Sequence, residues 1–269
     1  MVDWHQWENI RTAHPLVYHI TNQVTIQDCA NITLASGASP VMTSDPGEAA
    51  EMARMSQALV LNIGTPSPLQ REAMLTAGRA ANEKGIPIIL DPVGAGATSL
   101  RIRLLEALLK TLKFSIIRGN RSEIATLCGH RGGRGVDAEG NELDSITPHF
   151  RELSRQTDAT ISVSGATDYI TDGHQEAFVG NGTPLLAQVT GTGCMATSLT
   201  ACCLASEITP FESAIIALVA TGVAGEKAVS SLSTTEGIGT FRIRFFDEIF
   251  HMNTETLSKW RKVRISRHA

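Results

Sequence analysis

Apolar residues along the chain fall into two patterns. Short unbroken runs end in a polar or glycine residue, and longer stretches repeat every three to four positions. Ala58-Leu59-Val60-Leu61-Asn62-Ile63 is such a run and stops at Gly64. Ile86 to Leu90 stops at Asp91, Phe114 to Ile117 at Arg118, and a run over 159–164 at Gly165. Runs of this kind read as strands buried on both faces of a parallel sheet. A further strand over 15–20 ends at Thr21-Asn22-Gln23, which caps a helix over 26–36 closed by Gly37. Helical periodicity covers 3–12 (with Trp4 and Trp7), 68–84, 99–112 and 146–156, and Asp45-Pro46 opens another helix. A short strand is expected at 38–42. Asp172-Gly173-His174 joins two strands in a hairpin, and 184–189 reads as extended. Beyond residue 190 the pattern is helical, over 193–206, 210–231 and 241–258. Segment 129–145 holds five glycines and several charges and reads as a flexible loop.

Strands alternating with helices predict an α/β fold, a mostly parallel central sheet with helices on both faces and a helical C-terminal third. No repeat or low-complexity linker interrupts it, so residues 1–269 read as a single domain with a basic tail over 259–269. In such sheets ligands bind beyond the carboxyl ends of the strands. That rule gathers Asn62, Asp91, Arg118, Asn120, Ser164 and the turn over 190–194 at one edge.

That turn, Thr190-Gly191-Thr192-Gly193-Cys194, opens a helix. The first amides of a helix have no internal acceptor and carry the positive end of its dipole, so they suit an anion. Gly191 and Gly193 let backbone approach a ligand. Thr190 and Thr192 are candidate caps. Cys194 falls in the first turn, where a lowered thiol pKa is expected. The plain alternative is a capped helix start with an inert cysteine.

Composition narrows the setting. Lys and Arg number 23 against 27 Asp and Glu, a net charge of −4 that gives no sign of nucleic-acid binding. Lys259, Arg261, Lys262, Arg264 and Arg267 read as a solvated tail, with an anion or membrane role as the lesser alternative. The five cysteines show no zinc spacing and fit a reducing, cytoplasmic compartment. The N-terminus has no signal-peptide pattern, and the apolar stretch over 210–231 is interrupted by Glu212, Glu226 and Lys227, so a membrane span is not expected.

The edge residues suit phosphoryl transfer. Asp91 and Glu123 are hard oxygen ligands for Mg²⁺, directly or through waters. Arg118 suits phosphate, and Ser164 can bond a phosphate oxygen. The amides near Gly193 supply an anion cradle, and Cys194 a base. No GxxxxGK[ST] motif is present. Each residue also has a structural reading: Asp91 shaping a turn, Glu123 favouring a helix N-terminus, Arg118 in an ordinary ion pair.

His19-Ile20-Thr21-Asn22-Gln23-Val24-Thr25, Pro40-Val41-Met42, Leu61-Asn62-Ile63-Gly64-Thr65, Asp91-Pro92-Val93-Gly94-Ala95-Gly96, Arg118-Gly119-Asn120 with Glu123, and Thr190 to Cys194 together resemble the hydroxyethylthiazole kinase family of the ribokinase-like superfamily. The resemblance spans roughly residues 10–250. It implies ATP-dependent phosphorylation of 4-methyl-5-(2-hydroxyethyl)thiazole in thiamine salvage, with Mg²⁺ and a homotrimer whose active sites lie at subunit interfaces. By the same resemblance Asn22, Met42, Gly64, Thr65 and Gly191 contact the thiazole, Met42 from a neighbouring subunit. Arg118, Ser164 and Asn120 contact ATP, Asp91 and Glu123 organise the metal, and Thr192, Gly193 and Cys194 carry the chemistry. Cysteine at 194, where the wider superfamily has an Asp base, marks the subfamily. Two departures are Arg121, where a small residue is usual, and Gly237-Ile238-Gly239-Thr240-Phe241, where the family favours Gly-Pro-Gly.

Alternatives are a sibling kinase for hydroxymethylpyrimidine or pyridoxal and a nucleotide-dependent hydrate dehydratase, which would need a carboxylate at 194. Others are a cysteine hydrolase using Cys194 with His19, and a non-catalytic small-molecule binding domain. With only 5% aromatic residues, aliphatic walls are expected around the adenine.

Overall fold

The computed structural model describes residues 2–129 and 143–267. Most of the loop expected over 129–145 lies outside the described residues. Nine strands form one sheet in the order β2-β1-β3-β4-β5-β6-β7-β8-β9. They are β1 Leu16–Ile20, β2 Ser39–Val41, β3 Ala58–Asn62, β4 Ile88–Asp91, β5 Ile116–Asn120, β6 Thr160–Ser164, β7 Asp168–Thr171, β8 Gln175–Val179 and β9 Val263–Arg267. The first six pair parallel with one another, and β7 joins β6, β8 joins β7 and β9 joins β8 in antiparallel pairs.

The helices are α1 Gln6–Ala13, α2 Ile26–Ser36, α3 Pro46–Met55, α4 Pro68–Lys84, α5 Ser99–Thr111, α6 Arg121–Leu127, α7 Leu143–Thr157, α8 Thr192–Ala205, α9 Pro210–Ser230, α10 Ile238–Phe250 and α11 Thr254–Trp260. Strand side chains alternate between the faces of the sheet. Val17, Val60, Ile89 and Ile116 pack with α1, α2 and α8 to α11. Tyr18, Leu59, Leu61, Leu90 and Ile117 pack with α3 to α7. This is the expected α/β architecture with helices on both faces.

Local chemistry sets the helix starts. Ser67 and Gln70 form a capping box ahead of α4, with Pro68 in its first turn. Gln70 also donates from Nε2 to the Thr21 carbonyl at 2.9 Å, fastening α4 to the end of β1. Asn120 and Glu123 form the same box at α6. Helix α9 is long and apolar enough to cross a membrane, but most of it is buried against the sheet and α8, so it is a core helix.

Three expectations change. Residues Pro184–Gln188 form a short 3₁₀ helix, not a strand, because Thr183 accepts from the Leu185 amide and Pro184 fixes the first turn. The helix expected over 241–258 is two, broken before Asn253, which caps α11 by accepting from the Thr256 amide. The basic tail is not free: Val263–Arg267 pairs with β8 as the edge strand, while most of its side chains stay in water. At Gly237-Ile238-Gly239, Ile238 takes the first position of α10, where a proline is also tolerated.

Candidate active site

Chain order reverses direction across the sheet between β1 and β3. The connection from β1 leads outward to β2, and that from β3 leads the other way to β4. The two strands part their loops at a topological switch point, which opens a crevice at their carboxyl ends. Asn22 follows β1 and Asn62 ends β3, so both stand at the crevice.

Asn22 orders its own loop. Its Oδ1 accepts from the amides of Val24 and Thr25, each at 3.1 Å, and from the Thr25 hydroxyl. Its Nδ2 donates to Asn62 Oδ1 at 3.1 Å. Asn62 Oδ1 also accepts from the Gly64 amide at 2.9 Å. Thr65 Oγ1 accepts from the Gln23 amide at 3.0 Å, joining the two loops.

Helix α8 points its N-terminus at this pair. Gly191 is its N-cap at φ +93°, a conformation L side chains rarely adopt. A Cβ there would meet Thr25 Cγ2 at 2.8 Å. The first helical bond runs from the Met195 amide to the Gly191 carbonyl, so the amides of Thr192, Gly193 and Cys194 lie ahead of the ladder. A Cβ built on Gly193 would meet nothing within 4 Å. The N-cap expected of Thr192 is not formed; its hydroxyl donates back to the Leu186 carbonyl at 2.7 Å.

Cys194 Sγ lies 3.4 Å from Asn22 Nδ2 and 3.3 Å from Asn62 Nδ2. The expectation of a lowered thiol pKa is overturned. Burial pushes it up and the nearby Asp91 charge adds to that, while bonds from Thr25, Asn22 and Asn62 pull the other way without offsetting it. Desolvation outweighs the helix terminus here.

Asp91 ends β4 and is buried. Its Oδ2 accepts from Asn62 Nδ2 and from Thr197 Oγ1, both at 2.8 Å. Burial raises its pKa to about 6; Arg118 opposes this and Glu123 adds to it. Arg118 is buried and donates from Nη1 to the Gly193 carbonyl at 2.9 Å and to Thr197 at 3.3 Å. Glu123 uses both oxygens on backbone: Oε1 accepts from the Gly94 amide at 2.9 Å and Oε2 from the Asn120 amide at 2.8 Å.

Asn22, Asn62, Gly64, Asp91, Arg118, Gly193 and Cys194 thus form one connected group. Arg118 and Ser164 line a cavity of about 520 Å³ beside α8, with Leu186, Ala196 and Leu218 on its walls and no aromatic residue in its lining. Asn120 is not brought there; it lines a separate cavity of about 640 Å³ with Gly94 and Glu123. Met42 follows Val41, which pairs with Tyr18, so it stands at the outer edge of the sheet. Among the described residues no cluster of three or more His, Cys, Asp or Glu side chains could cage a metal.

Thr197 and Arg101 carry weight that the sequence did not signal clearly. Thr197 is one helical turn beyond Cys194, so spacing along α8 could have found it. Arg101 donates to the carbonyls of Ile63 and Gly64 at 3.4 and 2.5 Å, a long-range contact with no local signature. His19 does not serve Cys194. Its Nε2 pairs with Ser198 Oγ at 3.2 Å and its Nδ1 with the Val17 carbonyl, and burial lowers its pKa to about 4. The base required for a cysteine hydrolase is therefore committed elsewhere.

Residues 7–255 match the model of the hydroxyethylthiazole kinase family. A hydroxyethylthiazole kinase of a Thermoanaerobacter species is 48% identical over 259 residues, covering 95% of this chain and 97% of the relative. The solved hydroxyethylthiazole kinase of Pyrococcus horikoshii OT3 superposes with a TM-score of 0.88 at 37% identity, covering 97% and 98% of the two chains. A ribokinase-like superfamily protein of Enterococcus faecalis, 11% identical, shares the fold with a TM-score of 0.66 over 90% of this chain and 88% of its own.

Proposed function

The chain belongs to the hydroxyethylthiazole kinase family, and from that premise we propose how its own residues perform the reaction. The protein is an ATP-dependent phosphotransferase that phosphorylates the hydroxyl of 4-methyl-5-(2-hydroxyethyl)thiazole in thiamine salvage. The observation that carries the mechanism is the convergence of Asn22, Asn62 and Cys194 on the N-terminus of α8, next to the cavity lined by Arg118.

The thiazole lies in the crevice between β1 and β3, against Asn22, Gly64, Thr65 and Gly191. Its hydroxyl stands over Cys194, and the triphosphate enters from the Arg118 and Ser164 side. The hydroxyl oxygen forms a bond to the γ-phosphorus as the bond to the departing ADP oxygen breaks. The free amides at Thr192, Gly193 and Cys194 meet the charge on the transferring group as dipoles already aimed at it by the helix start. Arg118 adds a fixed positive charge and holds the Gly193 carbonyl, so turn and cation move as one unit. Cys194 receives or relays the hydroxyl proton. Because its pKa is raised, the ionised form is scarce at neutral pH, and positioning dominates over base catalysis. A loose phosphoryl transition state needs little proton removal early in the reaction.

Magnesium fits a site of this kind. It keeps several waters and is held by one or two carboxylates plus phosphates, not by a protein cage. Asp91 and Glu123 are close enough to influence each other's charge, and both suit ordering such waters. When bound, the ion neutralises the charge on the phosphates.

We further assign the protein to a homotrimer with Met42 facing a neighbour's thiazole. The position of Met42 beside the short edge strand β2 supports this. A cytoplasmic location suits free cysteines at 29, 128, 194, 202 and 203.

The deciding experiment measures ATP consumption with Mg²⁺ on the thiazole, hydroxymethylpyrimidine and pyridoxal. Turnover that needs magnesium and strongly favours the thiazole is expected. Preference for another alcohol would overturn the substrate placement, and loss of activity on Met42→Ala with an intact monomer in solution would overturn the interface assignment.

A further inference from the structure

Among the described residues the cavity beside α8 is lined by a single carboxylate, and it has no assigned task. Asp168 is the first residue of β7 and is 8% exposed. Its Oδ1 accepts from the Gly165 amide at 2.9 Å, closing the turn that follows Ser164. Its Oδ2 takes no hydrogen bond from the described residues. Burial raises its pKa to about 6, and Arg118 opposes the rise. The carboxylate thus remains largely charged at neutral pH, in a cavity whose other charged lining group among the described residues is the guanidinium of Arg118.

An ionised carboxylate accepts hydrogen bonds and donates none. It repels phosphate oxygens and selects the donor-bearing part of any ligand in the cavity. A nucleoside triphosphate offers two such parts, the ribose hydroxyls and the amino group of adenine. Arg118 holds the phosphate end, and Asp168 is near enough to feel its charge. The ribose is the part bonded directly to the phosphates. The aliphatic walls at Leu186, Ala196 and Leu218 leave apolar space for the base.

We propose that Asp168 accepts hydrogen bonds from the ribose hydroxyls of the nucleotide, so that this cavity selects ribonucleotides over deoxyribonucleotides. The proposal rests on the nucleotide placement given under the proposed function.

The test compares ATP, 2′-deoxy-ATP, 3′-deoxy-ATP and inosine triphosphate as phosphoryl donors to the thiazole, in the native protein and in Asp168→Ala. The native protein should favour ATP over at least one deoxy analogue by about tenfold or more in kcat/KM, the scale of a hydrogen bond to a charged group. Asp168→Ala should lower ATP to the level of that analogue and leave the KM for the thiazole within about twofold. Equal use of ATP and both deoxy analogues by the native protein overturns the proposal without any variant. An equal loss for all donors in Asp168→Ala also overturns it, reducing Asp168 to a turn-closing residue. Lost discrimination against inosine triphosphate alone would place the carboxylate at the base instead and overturn the ribose assignment. Turnover of the thiazole with ATP by the native protein is read in the same assay, so failure of the kinase reading is seen separately.

Discussion

The side-chain nitrogen of Asn62 lies 3.3 Å from the sulfur of Cys194. The same nitrogen lies 2.8 Å from Asp91, so one amide group orients the thiol and the buried carboxylate together. The bond from Asn62 favours the thiolate, but burial of the sulfur outweighs it, so the expected reactive thiolate is not found. The sulfur shares a buried site with an acid whose charge it feels.

Cys194→Ala should therefore be impaired by roughly ten- to a hundredfold in kcat, below the full range of general-base catalysis. Cys194→Asp should retain activity, since a carboxylate can take the same proton. If Cys194 acts as base, kcat in the native protein should rise with pH toward and beyond 9.0, the ordinary thiol value, because its pKa lies above that. The aspartate variant should lose this alkaline rise. A fully inactive Cys194→Asp that is still folded would remove the base role.

The two glycines of the turn should fail in different ways. Gly193→Ala meets no protein atom, so the melting temperature should hold while kcat drops, because the new methyl intrudes on the phosphoryl position. Gly193→Val should be nearly inactive. Gly191→Ala places a Cβ at 2.8 Å from Thr25 in a left-handed conformation, so it should destabilise the fold by about 1–3 kcal/mol. Calorimetry beside steady-state kinetics separates the two. Equal loss of kcat in Cys194→Ala and Gly193→Val would argue against placing the amide cradle ahead of the base.

Asp91→Asn should stabilise the protein while removing activity. The native carboxyl titrates near pH 6 instead of 3.8, so folding disfavours its charged form. That penalty is fully present above the folded pKa and is relieved as pH falls from about 6 toward 3.8. The variant should gain on the order of 3 kcal/mol at pH 7, by the worth of a pKa unit, and the gain should vanish near pH 4. A variant less stable than the native protein at pH 8 would show that the bonds from Asn62 and Thr197 outweigh burial.

Arg118→Lys should raise the KM for ATP more than that for the thiazole. Lysine keeps the charge but cannot hold both the Gly193 carbonyl and a phosphate with a planar fork. Activity should fall by tenfold or more. An unchanged KM for ATP would remove Arg118 from the nucleotide side.

Much of the fold was legible in the chain. Buried parallel strands are apolar without interruption, and the ends of β3 and β4 are marked by Asn62 and Asp91, whereas β5 runs past Arg118 to Asn120. The start of α8 was readable because a glycine turn before a helical run is a local signal, although the side-chain cap expected there is not formed. Less legible were elements whose form depends on a neighbour. The tail at 263–267 is basic and its Val263-Arg264-Ile265-Ser266 alternation is short, and it becomes a strand because β8 offers an open edge. The 3₁₀ turn over Pro184–Gln188 depends on a cap at Thr183 that alternation of residue types does not reveal.

The sequence alone determined the α/β class, the order of the elements and the polar groups at the carboxyl edge, because these follow from local periodicity and chain direction. Only the tertiary structure decided which of those groups meet. The switch of direction between β1 and β3 brings Asn22 to Asn62, and crossing α8 over the sheet brings Cys194 to both. It also decided the protonation of that thiol. A helix terminus is a local property that favours the thiolate, whereas burial and the field of Asp91 exist only after the chain has folded, and here they prevail.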